Sequence, residues 1–414
     1  MDSSPENRES MTGKKKLAII GTVGLPARYG GFETLTEHLV KQLGDQYDIT
    51  VYCSGKKYPK DSRKNEYLGA RLKYLPLQAN GLQSIPYDTI SIIQSLFYAD
   101  VLLILGVAGA WVLPFVKLFT KKKIIISIDG VEWKRDKWSK IARWYLWWAE
   151  KIAVKYSHAD ISDNESIQDY TAVRYGTLSN IIEYGADHTI SVKPTPADKE
   201  AYPFLNKPYA FKVCRIEPEN NIHIVLEAFS QMPKYTLVMI GNWKNSEYGA
   251  DLKKRYSLFP NLLLLDPIYD QRKLDLIRGN AYVYIHGHSA GGTNPSLVEA
   301  MYLGLPILTF DVSYNRTTTE NKAFYFKSAK DIVQIIENTR LSELRVRSAQ
   351  MKEVADRRYT WTVIAQKYDF LVKSVLVNKK KISVKPTVSD ISNTSLLELG
   401  VAHLQSPSLF YEKR

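Results

Sequence analysis

A chain of 414 residues exceeds what one ordinary hydrophobic core holds and suits two domains of about 150–200 residues each. Hydrophobic residues at 45% and charged residues at 24% exclude a disordered chain, and disorder is expected only at the ends. The formal charge of +13 calls for an anionic partner, and composition does not choose between nucleic acid, a phosphate-bearing ligand and an acidic membrane surface.

Residues 1–14 are polar and lack the apolar stretch of a signal peptide, so export is not expected. Lys16 to Ile20 then form an apolar run that leads at once into Gly21-Thr-Val-Gly-Leu-Pro-Ala-Arg-Tyr-Gly-Gly31 and a helical pattern through Leu43. Strand, glycine loop and helix open a doubly wound α/β domain. Further strands are predicted at Ile49–Cys53, Leu72–Leu75, Val101–Leu105, Ile124–Ile128 and Asp160–Ser162, with helical stretches between most of them, which implies a mainly parallel sheet. The longest apolar run, Val101 to Val116, is broken by Gly106, Gly109 and Pro114 and falls short of the ~20 residues needed to cross a bilayer. It reads as a strand, a glycine turn and a helix. Only Cys53 and Cys214 occur, in separate apolar runs, which supports neither a disulfide framework nor a zinc site and fits a reducing cytoplasm.

Three prolines and no periodicity between Ser191 and Phe204 mark a linker, placed at 191–205 after a first domain of 15–190. A second α/β domain over 206–358 restarts with strands at Ala210–Val213, Thr236–Ile240, Leu262–Leu265, Ala281–Ile285 and Pro306–Phe310. A terminal helix over 359–376 and a polar tail over 377–414 complete the chain.

Three segments carry chemistry. Gly30 and Gly31 lie at a strand-to-helix turn, where backbone amides approach a ligand closely and a helix N-terminus favours an anion. The spacing departs from the dinucleotide fingerprint, which disfavours a nicotinamide enzyme. His286 to Pro306 is the second: Gly291 and Gly292 open a loop, Asn294 caps a helix with Pro295 at its first position, and Glu299 sits little more than a turn inside. A carboxylate there is placed to accept from ribose hydroxyls, the alternative being a solvated helix glutamate. The third is Arg215, after the first strand of the second domain, whose planar fork suits a diphosphate; a surface salt bridge is the alternative.

Gly30-Gly-Phe-Glu33, Tyr184-Gly-Ala-Asp187, Arg215 with Pro218-Glu219, and Ser296-Leu-Val-Glu299-Ala-Met with Gly304-Leu-Pro306 together resemble the family-4 retaining glycosyltransferases. Ser127-Ile-Asp129-Gly-Val-Glu132-Trp-Lys-Arg135 and Gly291 through Glu299 resemble, more narrowly, the bacterial rhamnosyltransferase branch that builds capsule, O-antigen or wall polysaccharides. The resemblance covers residues 16 to about 376. It implies the GT-B fold, two Rossmann-like doubly wound α/β domains facing across a cleft, with the 359–376 helix crossing back to the first domain. It also implies transfer of L-rhamnose from dTDP-L-rhamnose to a saccharide acceptor carried on a polyprenyl diphosphate. The chain departs from the family at Gly291, where a glutamate usually contacts the donor sugar, and at Asn220, where a lysine is usual.

Donor contacts are accordingly expected from Gly31, Arg215, His288, Gly291, Gly292, Thr293, Asn294, Glu299 and Arg316. Acceptor contacts are expected from Gly30, Glu132 and Asn164. Arg215 and Glu299 are expected to take part in catalysis, with Asp129 the choice if a carboxylate assists the attacking hydroxyl; a plain Asp-Gly turn is the other reading of Asp129. No protein nucleophile, cofactor or metal is called for, since no DxD pair occurs and arginine with a helix end can neutralise a diphosphate. Two rival functions stay open: transfer from a UDP- or GDP-sugar, and a catalytically silent GT-B protein that binds a glycan or organises an assembly.

Residues 111–155 hold eleven Lys or Arg against four Asp or Glu and six of the eight tryptophans. On a helix over 138–156, Ile141, Tyr145, Trp148 and Ile152 are expected to face the core, and Lys140, Trp144, Trp147 and Lys151 to face out. Cations interleaved with aromatics suit an anionic bilayer interface, here the inner face of the plasma membrane. A solvated basic helix is the alternative, and nucleic acid is disfavoured because no recognition motif accompanies the charge.

Overall fold

The computed structural model describes residues 13–28, 30–128, 130–134 and 138–382. The described residues divide into two compact units: 13–28, 30–128, 138–161 and 365–382 form the first, and 130–134 and 162–364 the second.

Eight strands make one sheet: β1 (Lys15–Ile20), β2 (Tyr47–Ser54), β3 (Glu66–Tyr67), β4 (Ala70–Leu75), β5 (Val101–Leu105), β6 (Lys123–Ser127), β7 (Ala159–Ser162) and β8 (Asn180–Ile181). Their order is β3-β4-β2-β1-β5-β6-β7-β8, and the β2-β1-β5-β6-β7 pairings are parallel. Every residue of β5 is buried, as expected of a strand covered on both faces. The helices of this stretch are α1 (Gly31–Leu43), α2 (Ser84–Ser95), α3 (Leu113–Phe119), α4 (Lys140–Tyr156) and α5 (Glu165–Tyr175). The Val101–Val116 run resolves into β5, a short 3-10 turn at Ala110–Val112 and the start of α3.

The second sheet holds β9 (Tyr209–Val213), β10 (Thr236–Ile240), β11 (Leu262–Leu265), β12 (Val283–His286), β13 (Ile307–Phe310) and β14 (Phe324–Phe326) in the order β11-β10-β9-β12-β13-β14, all parallel. Helices α6 (Pro196–Ala201), α7 (Ile222–Ser230), α8 (Glu247–Tyr256), α9 (Gln271–Gly279), α10 (Pro295–Tyr302), α11 (Ser313–Thr318), α12 (Ala329–Asn338), α13 (Leu341–Arg358) and α14 (Trp361–Val377) complete the described chain. One face of this sheet buries Ala210, Leu237, Met239, Val283 and Ile285 against Val225, Leu226 and Phe229 of α7 and Ile332 of α12.

Two expectations about elements are corrected. The proline-rich segment is not without structure: Thr195 and Asp198 form a reciprocal capping box that starts α6. Helix α4 is also turned from its expected orientation. Its buried face is Ala149, Glu150, Ala153 and Val154, while Ile141 is 82% exposed and Trp148 lies at the surface. Alanines let the helix approach its neighbours closely, and that proximity outweighs the larger side chains as the choice of inner face.

Candidate functional site

Strand β12 ends at His286 and the chain turns through Gly287–Thr293 into α10. Asn294 caps this helix by accepting from the Ser296 amide at 3.1 Å, with Pro295 at the first helical position, as the sequence indicates. Gly291 has φ +92°, a conformation that strains any other residue, and a Cβ there would lie 3.8 Å from His288 Nε2. The imidazole of His288 therefore faces Gly291. Its Nδ1 lies 3.0 Å from Asn220 Oδ1, and Asn220 in turn donates to the Arg215 carbonyl at 2.9 Å. Arg215 itself is about half exposed, its guanidinium 3.8 Å from Glu217.

Glu299 is the most constrained group of the site. One carboxylate oxygen pairs with Arg278, which is fully buried and also donates to the buried Asp275 at 2.8 Å. The other lies 3.2 Å from His188 Nε2. The Trp361 Nε1–H donates to His188 Nδ1 at 3.1 Å, which leaves Nε2 of the neutral ring carrying the proton toward Glu299. Asp275 accepts from the Ile190 amide at 3.2 Å, which ties the network to the residue just before the 191–205 segment. Burial alone would raise the Glu299 carboxyl, but the Arg278 charge and the His188 hydrogen bond overcome it and hold the group at about 2. The result is a carboxylate fixed in its charged form, fit to accept from hydroxyl donors. Arg278 and Asp275 on α9 and His188 were not among the residues singled out from sequence, because they lie on elements other than that of Glu299 and no motif links them to it.

Several expected contacts are placed otherwise. The Thr293 amide, expected to face a leaving group, donates to Asp163 Oδ2 at 3.0 Å, and Thr293 Oγ1 donates to the Asp163 carbonyl at 2.5 Å. Gly292 makes room for this: a Cβ there would stand 1.8 Å from Asp163 Oδ1. Asp163 thus occupies the anion seat at the start of α10. Asn164 is fully buried and is no surface contact for an acceptor. It caps α5 through the Ser166 amide, donates to Tyr314 O and Thr318 Oγ1, and accepts from Thr317 Oγ1. Arg316 is paired with Asp311 at 2.5 Å and lies over the Tyr325 ring.

Gly30 precedes α1 with φ +144°, and a Cβ there would strike Glu33 Oε2 at 1.8 Å. Glu33 accepts from the Val23 amide at 2.9 Å and Glu37 from the Ala27 amide at 2.7 Å, so two amides of the glycine loop are satisfied from α1 itself. Gly31 opens α1 and is exposed. Glu132 begins a 3-10 turn and is partly buried. Asp129 lies outside the described residues.

Comparison with known proteins gives this arrangement its class. Residues 14–187 match a domain of unknown function, DUF1972, and residues 195–355 match the glycosyl transferases group 1. No curated protein sequence matches the chain. Among solved structures, sucrose-phosphate synthase from Thermosynechococcus elongatus superposes with a TM-score of 0.72 at 16% identity, covering 87% of this chain and 99% of that one. HepE from Anabaena in complex with UDP-glucose gives 0.68 at 14% identity, covering 87% and 100%. A glycosyltransferase from Rickettsia africae gives 0.68 at 14% identity, covering 89% and 100%. The fold is that of the GT-B structures, and residues 195–355 carry a glycosyl transferases group 1 domain.

Proposed function

We propose that the protein is a retaining, metal-independent rhamnosyltransferase of family 4, which moves L-rhamnose from dTDP-L-rhamnose to a saccharide acceptor carried on a polyprenyl diphosphate. The observation that carries this reading is the charged Glu299 carboxylate, oriented by Arg278 and His188 in the group 1 domain. It accepts the ribose hydroxyls of the donor, while Arg215 faces the diphosphate. The acceptor hydroxyl oxygen bonds to the anomeric carbon as the bond from that carbon to the diphosphate oxygen breaks, and the hydroxyl proton passes to the departing diphosphate. Arg215 stabilises the charge that develops there. Gly31, His288, Gly291 and Gly292 are assigned to the donor, and Gly30, Glu132 and Asp129 to the acceptor.

The outer stripe of α4 supports a membrane-borne acceptor. Ile141, Trp144 and Trp148 are exposed and are followed on the same side by Lys151 and Lys155. Among the described residues no helix is long and apolar enough to cross a membrane, so this stripe is a surface for peripheral contact with the anionic inner leaflet.

Melting the protein with dTDP, UDP, GDP or NAD tests the donor. A ligand at one hundred times its Kd adds about 2.7 kcal/mol of apparent stability, and dTDP is expected to give the largest rise. A larger rise with UDP supports a second reading, transfer from a UDP-sugar, which the UDP-glucose complex of HepE favours. A rise with NAD alone ends the transferase reading. Product analysis with a lipid-linked mono- or disaccharide then tests the acceptor.

A further inference from the structure

Strand β9 carries Lys212 in its interior, 1% exposed, and among the described residues its Nζ makes no hydrogen bond and no ion pair. An unpaired ammonium inside a domain is costly, and such groups persist where their charge is used. The side chain ends beneath Gly287: a Cβ on that glycine would stand 3.0 Å from Lys212 Nζ and 2.2 Å from the Asn220 carbonyl oxygen. On the other face of the sheet, His286 of β12 is 3% exposed and its Nε2 is buried without a partner.

Above Lys212, the loops that follow β9 and β12 are closed together. Asn221 Nδ2 donates to Gly287 O at 2.8 Å, the Ser289 amide to Glu219 O at 2.9 Å, and His288 meets Asn220 at 3.0 Å. Arg215 stands on the first of these loops and Gly291 on the second. A buried charge directly below such a roof acts through protein rather than water, where its field is weakly screened.

We propose that Lys212 is the second cation of the donor's diphosphate seat, set beneath the joined loops and acting with Arg215. The assignment rests on the donor reading above and adds a residue that lies inside a strand rather than in a loop. It explains why a lysine occupies a strand position otherwise filled by apolar residues, and why Gly287 carries no side chain.

Titration calorimetry with dTDP, inorganic pyrophosphate and thymidine on the wild-type chain and Lys212→Met tests this. The variant is expected to melt no lower than the wild type, because it removes an unpaired buried charge. It is expected to bind dTDP and pyrophosphate at least about tenfold more weakly, about 1.4 kcal/mol, with thymidine unchanged. Lys212→Arg, which keeps the charge, should retain most of the pyrophosphate affinity, and Lys212→Met with Asn220→Lys should regain part of it. Equal pyrophosphate binding by the wild type and Lys212→Met overturns the assignment while leaving the transferase reading intact. A wild-type chain that binds no nucleoside diphosphate overturns both.

Discussion

At the scale of single residues, Glu299 shows how a site group is set by its surroundings rather than its helix. Its depressed pKa makes it a contributor to stability that is fully present above the ordinary value of 4.5 and lost as pH falls through about 2. The wild type should therefore lose stability between those two values, on the order of 3 kcal/mol from this group. Denaturant melts of Glu299→Gln across that window should lack this component. Arg278→Met leaves Asp275 and Glu299 without their cation and is expected to cost about 3–5 kcal/mol, read from urea unfolding. Asn164 offers a complementary test. Asn164→Ala removes a helix cap and links to Thr317 and Thr318, so about 2 kcal/mol of stability should go, with the KM for the acceptor unmoved.

At the scale of elements, α4 divides its work between two faces. Small residues seat it, and the large apolar ones, Ile141, Trp144 and Trp148, stay in solvent. Exchange of these three for serine should leave the melting transition within about 0.5 kcal/mol per site, since exposed positions contribute little to folding. Co-sedimentation with phosphatidylglycerol vesicles should fall sharply for the same variant, and an unchanged pellet would count against the membrane reading. The central strands of both sheets were readable from apolar runs and the cap of α10 from Asn294-Pro295, whereas the short strands β3, β8 and β14 and the Thr195–Asp198 box that starts α6 were not. The inner face of α4 was not, because a pattern that counts hydrophobicity ranks Trp above Ala, whereas packing distance favours the smaller side chain.

At the scale of the whole molecule, α14 is shared by both units: Trp361 to Ile364 group with the second, and Ala365 onward with the first. Within the second unit Trp361 is 2% exposed, packs on Gly185 and Tyr184, and holds His188. Within the first, Asp369 accepts from Tyr47 at 2.6 Å, and Tyr368, Leu371, Val372 and Val375 are buried. Trp361→Ala is expected to cost about 3–5 kcal/mol. It should also weaken dTDP binding through His188, a pairing of effects that calorimetry on a folded sample separates from stability alone.

The amino-acid sequence by itself determined the doubly wound α/β architecture, the glycine turns, the cap of α10 and the positions of Arg215 and Glu299, because these follow from local periodicity and turn chemistry. Tertiary structure alone decided which charges meet. Arg278 of α9 and His188, ahead of the second sheet, reach Glu299 of α10, and Asp163 takes the Thr293 amide. Such pairings depend on distances of a few ångströms between residues far apart in the chain, and strand or helix periodicity carries no record of them.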